Sequence, residues 1–321
     1  MTDAHSERHD LTVPAELEGL RFDQALARLL SQHSRSRIKT WIEDGQAVLN
    51  GRPARPRAPV QAGDRVQVEA HWPAAEALQA QPVPFTLRYA DEDVLVIDKP
   101  AGVVVHPGAG NRDATLINGL LARFPELAQL PRAGLIHRID KDTSGLLLVA
   151  RRPTSFQALI RAMAARRITR VYEAIVTGVL VAGGTIDAPI GRDPQQRTRM
   201  RVTPNGRTAV THYRVLQRYR AHTHIEVRLE TGRTHQIRVH MAWQGHALVG
   251  DPRYAGRPRP PRGASHALQT ALTGFSRQAL HAAALGFTHP VSGEPIAVEA
   301  PRPADLDALM AALTADAESA A

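Results

Sequence analysis

The stretch LIHRIDKDTSGLLLVA, residues 135–150, contains two short apolar runs on either side of a polar segment. Short apolar runs that are bounded by Gly predict a strand, a tight loop and a second strand. The loop carries the charged residues Arg138, Asp140, Lys141 and Asp142. Charges between buried strands are costly to fold unless they are paired, and loops held by rigid strands commonly carry chemistry. This loop is therefore the first candidate for a functional site.

Asp140 is the residue of this loop whose side chain is the clearest candidate for a chemical role. The neighbouring cations Arg138 and Lys141 favour its ionised form. An ionised carboxylate can accept a proton, bind a metal or attack an electrophilic carbon, although half of a structural ion pair is the commoner role for such an Asp. Asp142 is predicted to cap the following turn through its side chain rather than to form a catalytic pair with Asp140.

A second polar stretch, TGRTHQIRVH, lies at residues 231–240. Its Arg233 and Arg238 flank a hydroxyl, an imidazole and an amide. Such a set of donors suits a phosphate or a carboxylate partner. Upstream, Tyr172 is one of five Tyr in a chain with few aromatic residues. A core position with a satisfied hydroxyl is the commoner role for such a Tyr, and a stacking surface for an extruded base is the functional alternative.

The sequence argues against several kinds of chemistry. The chain has 321 residues and no Cys, which excludes a disulfide framework, a thiolate nucleophile and Cys-bound zinc. His235, His240 and His246 do not have the i, i+4 spacing of helical zinc ligands, so we predict no metal site. No P-loop and no Gly-rich dinucleotide loop is present, and we therefore expect neither a nucleotide nor another cofactor.

The charge of the chain favours a nucleic-acid partner. The net charge is +9 with a pI of about 10.6, and Lys occurs only at positions 39, 99 and 141, so that nearly all the basic residues are Arg. A GC-rich genome would explain the ratio of Arg to Lys but not the net charge. The polar N-terminus lacks a signal-peptide core and no apolar run is long enough to cross a membrane, which predicts a cytoplasmic protein without a membrane partner.

The pattern of elements predicts an α+β protein with two domains. Helical periodicity begins near residue 17, while a Pro-, Ala- and Gln-rich segment separates it from a region in which strands outnumber helices. The predicted order is a disordered N-terminus (1–16), an RNA-binding domain (17–72), a linker (73–84), a catalytic domain with a largely antiparallel mixed sheet (85–303) and a C-terminal helix or tail (304–321).

The first domain resembles the S4 RNA-binding module, which is of the αααβ type. Two short helices and a hairpin carry clustered cations in a region with few acidic residues. A run of charge is often only a solvated face, but this clustering favours RNA contact. The predicted RNA-binding residues are Arg35, Arg37, Lys39 and Arg52 in this domain, together with Arg257 and Arg259 in a basic loop of the second domain.

Four ordered motifs of the second domain resemble those of the RluA family of pseudouridine synthases. HRIDKDTSG at residues 137–145 is similar to the family signature, and Ile139 stands where Leu is usual, which is a volume-conserving exchange. The other motifs are DKPAG (98–102) with HPG (106–108), GRTHQIR (232–238) and RQALH (277–281). The segments GAGN (108–111) and GRPRPP (256–261) resemble the branch of the family that acts on large-subunit ribosomal RNA.

This resemblance implies roles for the residues singled out above. Asp140 would be the catalytic aspartate, Arg238 would pair with it, and Tyr172 would stack on the extruded uracil. The implied substrate-binding residues are Arg138, which would enter the space vacated by the base, Leu280, which would form an apolar wall, and His137 and Arg233.

The resemblance also implies a target. We expect a monomer that converts uridines to pseudouridine in large-subunit ribosomal RNA, in the loop of helix 69. Two alternatives stay open at this point. The same chemistry could act on other ribosomal RNA sites or on transfer RNA, or the chain could be a non-catalytic RNA-binding factor for ribosome assembly.

Overall fold

A computed structural model describes residues 5–31, 33, 35–72, 79–108, 111, 113–196, 198–258 and 260–319 of the chain. The chain divides into two compact units, residues 1–77 and residues 78–321. The division falls inside the segment that the sequence predicts as a linker. Both units combine helices with mostly antiparallel sheets, which confirms the predicted α+β class.

The first unit packs two short helices on a four-stranded antiparallel sheet. Its elements are β1 (His5–Thr12), a 3₁₀ turn (Ala15–Leu17), α1 (Phe22–Leu29), α2 (Arg35–Glu43), β2 (Ala47–Leu49), β3 (Arg52–Pro53) and β4 (Arg65–Trp72). The strand order is β1-β4-β2-β3. Phe22 and Leu26 of α1 and Trp41 of α2 are buried with Val66 and Val68 of β4. This apolar face holds the helices to the sheet, as their sequence periodicity predicts.

Residues 5–12 form strand β1, inside the segment 1–16 for which the sequence predicts disorder. It pairs with β4 along its whole length, from His5 opposite Trp72 to Thr12 opposite Arg65. Because β1 is an edge strand, most of its side chains are polar, and its composition resembles that of a disordered segment. The backbone hydrogen bonds to β4 stabilise it, and these have no signature in local composition.

The second unit is built on a nine-stranded sheet. Its elements are β5 (Thr86–Ala90), β6 (Val94–Lys99), α3 (Leu116–Arg123), two 3₁₀ segments (Pro125–Gln129 and Pro131–Gly134), β7 (Ser144–Ala150), α4 (Pro153–Ala164), β8 (Thr169–Thr177), β9 (Gly184–Asp187), β10 (Ile190–Arg192), β11 (Met200–Val202), β12 (Val210–Arg218), β13 (His222–Leu229), α5 (Gln236–Trp243), α6 (His266–Gly274), β14 (Leu280–Thr288), β15 (Pro295–Glu299) and α7 (Ala304–Glu318).

The sheet order is β5-β6-β7-β14-β8-β13-β12-β9, with β15 added to β14 and a separate pair formed by β10 and β11. All the pairings of these strands are antiparallel except the short parallel contact of β7 with β14. Strands β6 and β7 are buried on both faces, since alternate side chains enter two different cores. That double burial explains why their sequences are continuous apolar runs rather than alternating patterns.

The first apolar run of the central stretch departs from the prediction. Residues 135 and 136 do not form a full strand. Leu135 makes a single antiparallel bridge with Val149, and the N–H of Ile136 donates to the carbonyl oxygen of Leu148 at 3.0 Å. Burial against β7 therefore accounts for the apolar character of this run. The second run is β7 itself, as predicted.

The described part of the predicted linker packs on α3. The carbonyl oxygen of Gln79 accepts a 2.7 Å hydrogen bond from Asn118, and the side-chain oxygen of Gln81 accepts one from the N–H of Ala114 at 2.6 Å. At the other end of the unit, α7 is a packed helix whose Leu306, Leu309 and Leu313 are buried in one cluster with α6. None of the helices within the described residues has both the length and the apolarity required to cross a membrane.

Candidate active site

The loop that carries Asp140 is fixed through its backbone. Lys99, at the end of β6, is fully buried, and its Nζ donates to the carbonyl oxygens of Pro100 at 2.7 Å and Lys141 at 2.8 Å. Arg277 donates to the carbonyl oxygen of Asp142 at 3.3 Å. Lys99 and Arg277 therefore hold the loop through its backbone carbonyl oxygens, and these contacts do not involve the loop's own side chains.

Gly145 lets β7 and β14 approach each other directly after this loop. Its φ is +110°, and a Cβ there would lie 2.3 Å from the carbonyl oxygen of Ala282. Only Gly fits this position without a shift of the backbone. Beside it, the buried Ser144 hydroxyl and the Nδ1 of His281 are 2.9 Å apart, which joins the two strands at the end of the loop.

Arg238, on α5, lies between two carboxylates. Its Nη1 donates to Oδ2 of Asp140 at 2.9 Å, while its Nε and Nη2 donate to the two carboxylate oxygens of Asp251 at 2.7 and 2.9 Å. The side chains of Arg238 and Asp251 are buried, and that of Asp140 is 18% exposed. The carboxylates raise the pKa of Arg238 even though burial alone would lower it. Asp140 is thus the member of this group that solvent or a substrate can reach.

The start of α5 is shaped by a strained residue. His235 has φ of +57° in the left-handed region, directly before the helix, and its Nδ1 lies 2.9 Å from the hydroxyl of Tyr254. The ring of Tyr254 also lies 5.2 Å from the guanidinium carbon of Arg238. Strain of this kind at a residue other than Gly is typical of functional sites. Burial lowers the pKa of His235, which favours the neutral ring.

A cleft opens beside Asp140. Four of the residues that the sequence predicts for the site line this cleft with Asp140 and Arg238: Arg138, Tyr172, Arg233 and Leu280. Tyr172 and Leu280 are 5% and 4% exposed and belong to the apolar wall, while Arg138 is exposed. Burial, together with the negative charge of Asp140, raises the pKa of the Tyr172 hydroxyl. The cleft therefore combines a flat aromatic wall, an apolar contact and one accessible carboxylate.

His137, which the sequence predicts as a substrate-binding residue, is turned toward the sheet. Its Nε2 accepts a 3.2 Å hydrogen bond from the N–H of Leu148, and the pKa of the ring is lowered to about 3 by burial and by the cation of Arg170. It is not one of the residues that form the wall of the cleft among those that the structure describes. Its contact anchors the segment before Asp140 to β7 in the neutral state.

The predicted RNA-binding residues are placed as follows. Arg35, Arg37, Lys39 and Arg52 are exposed on the first unit, and Lys39 forms an ion pair with Glu43 at 3.2 Å. Arg257 is exposed in the second unit, whereas Arg259 lies outside the described residues. These exposed cations are compatible with phosphate contacts.

The three His residues whose spacing argued against zinc binding each contact a protein group. His240 is buried, and its nitrogens lie 2.8 Å from the Thr211 hydroxyl and 2.9 Å from the carbonyl oxygen of Ala188. His246 lies 2.8 Å from the carbonyl oxygen of Thr177. Together with the contact of His235 to Tyr254, these bonds give each ring a structural partner.

Sequence reasoning missed Lys99, His235, Asp251 and Tyr254 as members of the site. Asp251 follows two buried apolar residues and Gly250, and Pro252 follows it. A carboxylate at the end of an apolar segment, in a Gly-Asp-Pro turn, was the available signal. Lys99 was visible as a rare Lys directly after an apolar strand. Both features were present in the sequence. Their roles depend on contacts with distant segments, Lys99 with the loop at Lys141 and Asp251 with Arg238.

Comparison with known proteins defines the class of this fold and cleft. The RNA pseudouridylate synthase family profile matches residues 93–243, and the S4 domain profile matches residues 20–66. A relative from Xanthomonas campestris pv. campestris, the ribosomal large subunit pseudouridine synthase D, is 52% identical over 326 residues that cover 100% of this chain and 98% of the relative. The chain therefore belongs to the RNA pseudouridine synthase family, carries an S4 domain and is an isomerase, as its motifs predict.

Further relatives carry the same name. The ribosomal large subunit pseudouridine synthase D of Pseudomonas aeruginosa is 51% identical over 96% of this chain and 96% of its own length. That of Escherichia coli (strain K12) is 48% identical, covering 96% of this chain and 94% of the relative. Among solved structures, human RNA pseudouridylate synthase domain containing 1 matches 71% of this chain and 87% of its own, with a TM-score of 0.55 and 28% identity.

Proposed function

We propose that this protein converts uridines to pseudouridine in large-subunit ribosomal RNA, in the loop of helix 69, with Asp140 as the catalytic residue. The observation that carries the proposal is the 2.9 Å contact between the Asp140 carboxylate and Arg238 at the wall of the cleft. A hydrogen bond from a buried guanidinium orients a carboxylate and places a positive charge beside it. The names of the full-length relatives support the ribosomal RNA target.

The reaction needs only rearrangement within one nucleotide. The bond between N1 of the uracil and C1′ of the ribose breaks, the uracil turns, and a bond forms between C5 and C1′. The proton on C5 leaves, and N1 takes up a proton in place of its bond to C1′. Asp140 would either attack C1′ or remove the proton at C2′, and both routes need an ionised oxygen at the cleft. No group is gained or lost overall, in keeping with the expectation that no cofactor takes part.

Access to C1′ requires that the uridine leave the RNA stack. Unstacking costs a few kcal/mol, which contacts inside the cleft must offset. Tyr172 offers a ring for stacking and Leu280 an apolar contact, while the exposed Arg138 would enter the space left by the base. The S4 domain would add phosphate contacts outside the cleft.

The oligomeric state, the location in the cell and the exact RNA target stay predictions. A monomer in the cytoplasm fits an enzyme of ribosomal RNA, and measurement of the protein's mass in solution tests whether it is a monomer. Other ribosomal RNA sites and transfer RNA are the alternative targets, because RNA loops are recognised largely by shape. Mapping of pseudouridines in ribosomal and transfer RNA from a strain that lacks the gene separates these targets from the helix 69 loop.

The decisive experiment is the Asp140→Asn variant. We expect it to bind the helix 69 stem-loop as the wild type does and to form no pseudouridine, measured as release of tritium from RNA labelled at C5 of uridine. Asp187→Asn, at an exposed carboxylate at the end of β9, is the matched control and should retain activity. Turnover by the Asp140→Asn variant would refute the assignment of the catalytic residue.

A further inference from the structure

Arg170 is a buried cation in the wall of the cleft. It precedes Tyr172 by two residues on β8, so that both side chains lie on the same face of the strand. Both line the cleft beside Asp140, and Arg170 is only 7% exposed. Its Nη2 donates to the carbonyl oxygens of Leu229 and Glu230 at 3.1 and 3.4 Å.

This guanidinium is incompletely satisfied. Among the described residues its Nε has no hydrogen-bond partner, and no carboxylate forms an ion pair with it. Gly232 keeps the space beside it open, since a Cβ at that position would lie 3.0 Å from Nη1 of Arg170. A buried charge without a counter-charge is unfavourable, and an arriving anion would relieve that penalty.

A group of arginines lies around Arg233, which lines this cleft together with Arg170. Arg233 lines the cleft, and its Nε donates to the carbonyl oxygen of Thr208 at 2.9 Å. The pKa of Arg233 is lowered by burial and then by the positive charges of Arg207 and Arg166. Arg166 forms an ion pair with Glu230, whereas no acidic side chain of the described residues pairs with Arg207 or Arg233. The positive charges of Arg207 and Arg166 therefore repel that of Arg233 in the absence of a ligand.

We propose that Arg170 and Arg233 form a phosphate-binding site for the RNA backbone next to the extruded uridine, with Arg207 at its rim. This inference rests on the proposed function and names the part of the substrate that this wall contacts. Extrusion turns a nucleotide about its backbone, so its flanking phosphates come to the opening while the base enters the cleft. The planar guanidinium matches a phosphate with two parallel hydrogen bonds.

A uracil carbonyl is the other acceptor that could meet Arg170. It would satisfy the guanidinium's N–H groups but would leave the repulsion of Arg233 by Arg207 and Arg166 in place. A phosphate supplies both the acceptor oxygens and the negative charge, which is why the cluster favours the backbone over the base.

The test combines Arg170→Gln and Arg233→Gln variants with helix 69 stem-loops that carry one uncharged methylphosphonate linkage beside a target uridine. On unmodified RNA we expect each variant to lower kcat/KM about tenfold, as for loss of a hydrogen bond between charged groups. On RNA with the methylphosphonate at the contacted linkage, kcat/KM of the wild type should fall by the same factor. The methylphosphonate should lower kcat/KM of the variants little further. Arg152→Gln removes a charge after the far end of β7, where Arg152 pairs with Glu92, and should behave as wild type on every RNA.

If the loss caused by the arginine substitution and the loss caused by the methylphosphonate multiply on every modified RNA, these arginines contact something other than the backbone. That result would overturn the proposal. If the wild type does not modify the stem-loop, the proposed target is wrong, and the phosphate site is then tested on total large-subunit RNA. There, each variant should reduce the slope of log Kd against log salt concentration by about one relative to Arg152→Gln. An unchanged slope would exclude a phosphate contact.

Discussion

Asp251 holds the guanidinium of Arg238 through both of its carboxylate oxygens, at 2.7 and 2.9 Å, and leaves Nη1 of Arg238 directed at Asp140. The two carboxylates share one cation, and only that of Asp140 reaches the cleft. Asp251 also accepts the N–H of Arg253 at 2.9 Å and that of Tyr254 at 3.2 Å, so its own position is fixed by the backbone. This arrangement makes Asp251 a positioning residue for the pair at the cleft.

We predict that Asp251→Asn lowers kcat by roughly tenfold to a hundredfold while RNA affinity stays close to that of the wild type. An amide offers one acceptor oxygen in place of two, so Arg238 would rotate and Asp140 would lose its orientation; small misplacements of reacting groups have effects of this size. Loss of one charge from a buried pair should also lower the free energy of unfolding, by roughly 3–5 kcal/mol. Single-turnover rates, RNA-binding titrations and thermal unfolding measure the three quantities.

Asp316→Asn is the matched control for this prediction. Asp316 is also buried and pairs with an arginine, Arg220, at 2.9 Å, but it lies on α7 and does not line the cleft. Its substitution should destabilise the protein without changing the rate of the folded enzyme. Equal rates for the two variants, after correction for the folded fraction, would show that Asp251 has only a structural role.

Lys99 predicts a pH dependence of stability. Burial lowers its pKa to about 7 against the opposing charges of Asp142 and Asp140, whereas an unfolded Lys titrates near 10.4. The unfolded chain therefore binds this proton more tightly than the folded protein does. The resulting loss of stability is complete below pH 7 and is relieved as the pH rises to about 10.4. We expect the wild type to gain free energy of unfolding, relative to Lys99→Met, by on the order of 3 kcal/mol between pH 7 and 10.

Urea unfolding of both proteins at several pH values measures this difference. Lys141→Met, at an exposed Lys of the loop that Lys99 contacts, should follow the wild type. A constant difference between the wild type and Lys99→Met across this range would mean that Lys99 keeps an ordinary pKa in its buried position.

The sequence predicted the parts of this protein that are encoded locally. The apolar runs of β6 and β7, the helical face of α1 and the charged loop at Asp140 are each readable within a short window. The edge strand β1 was missed because its stability comes from pairing with β4, about sixty residues later. Asp251 was missed for a similar reason, since its role depends on α5 and not on its neighbours. Arg238 was assigned only through the family motif that contains it.

Tyr172 gives a prediction about RNA binding. If its ring stacks on the uracil, Tyr172→Leu should weaken binding of the helix 69 stem-loop by about tenfold or more, whereas Tyr172→Phe keeps the ring and the affinity. Both variants are made in the Asp140→Asn background so that the RNA is not converted during the titration. Circular dichroism checks that the leucine variant is folded, since Tyr172 is part of the core. Equal affinities for the two variants would argue against stacking by this ring.

The first unit should determine much of the salt dependence of binding. Arg35 and Arg52 are exposed there, and a phosphate contact by each would release condensed counterions on binding. We expect Arg35→Gln/Arg52→Gln to reduce the slope of log Kd against log salt concentration by about one to two, with little change in kcat at saturating RNA. Arg8→Gln is the control in the same unit, because Arg8 is already paired with Glu69. A slope equal to that of the control would mean that RNA is bound without these two cations.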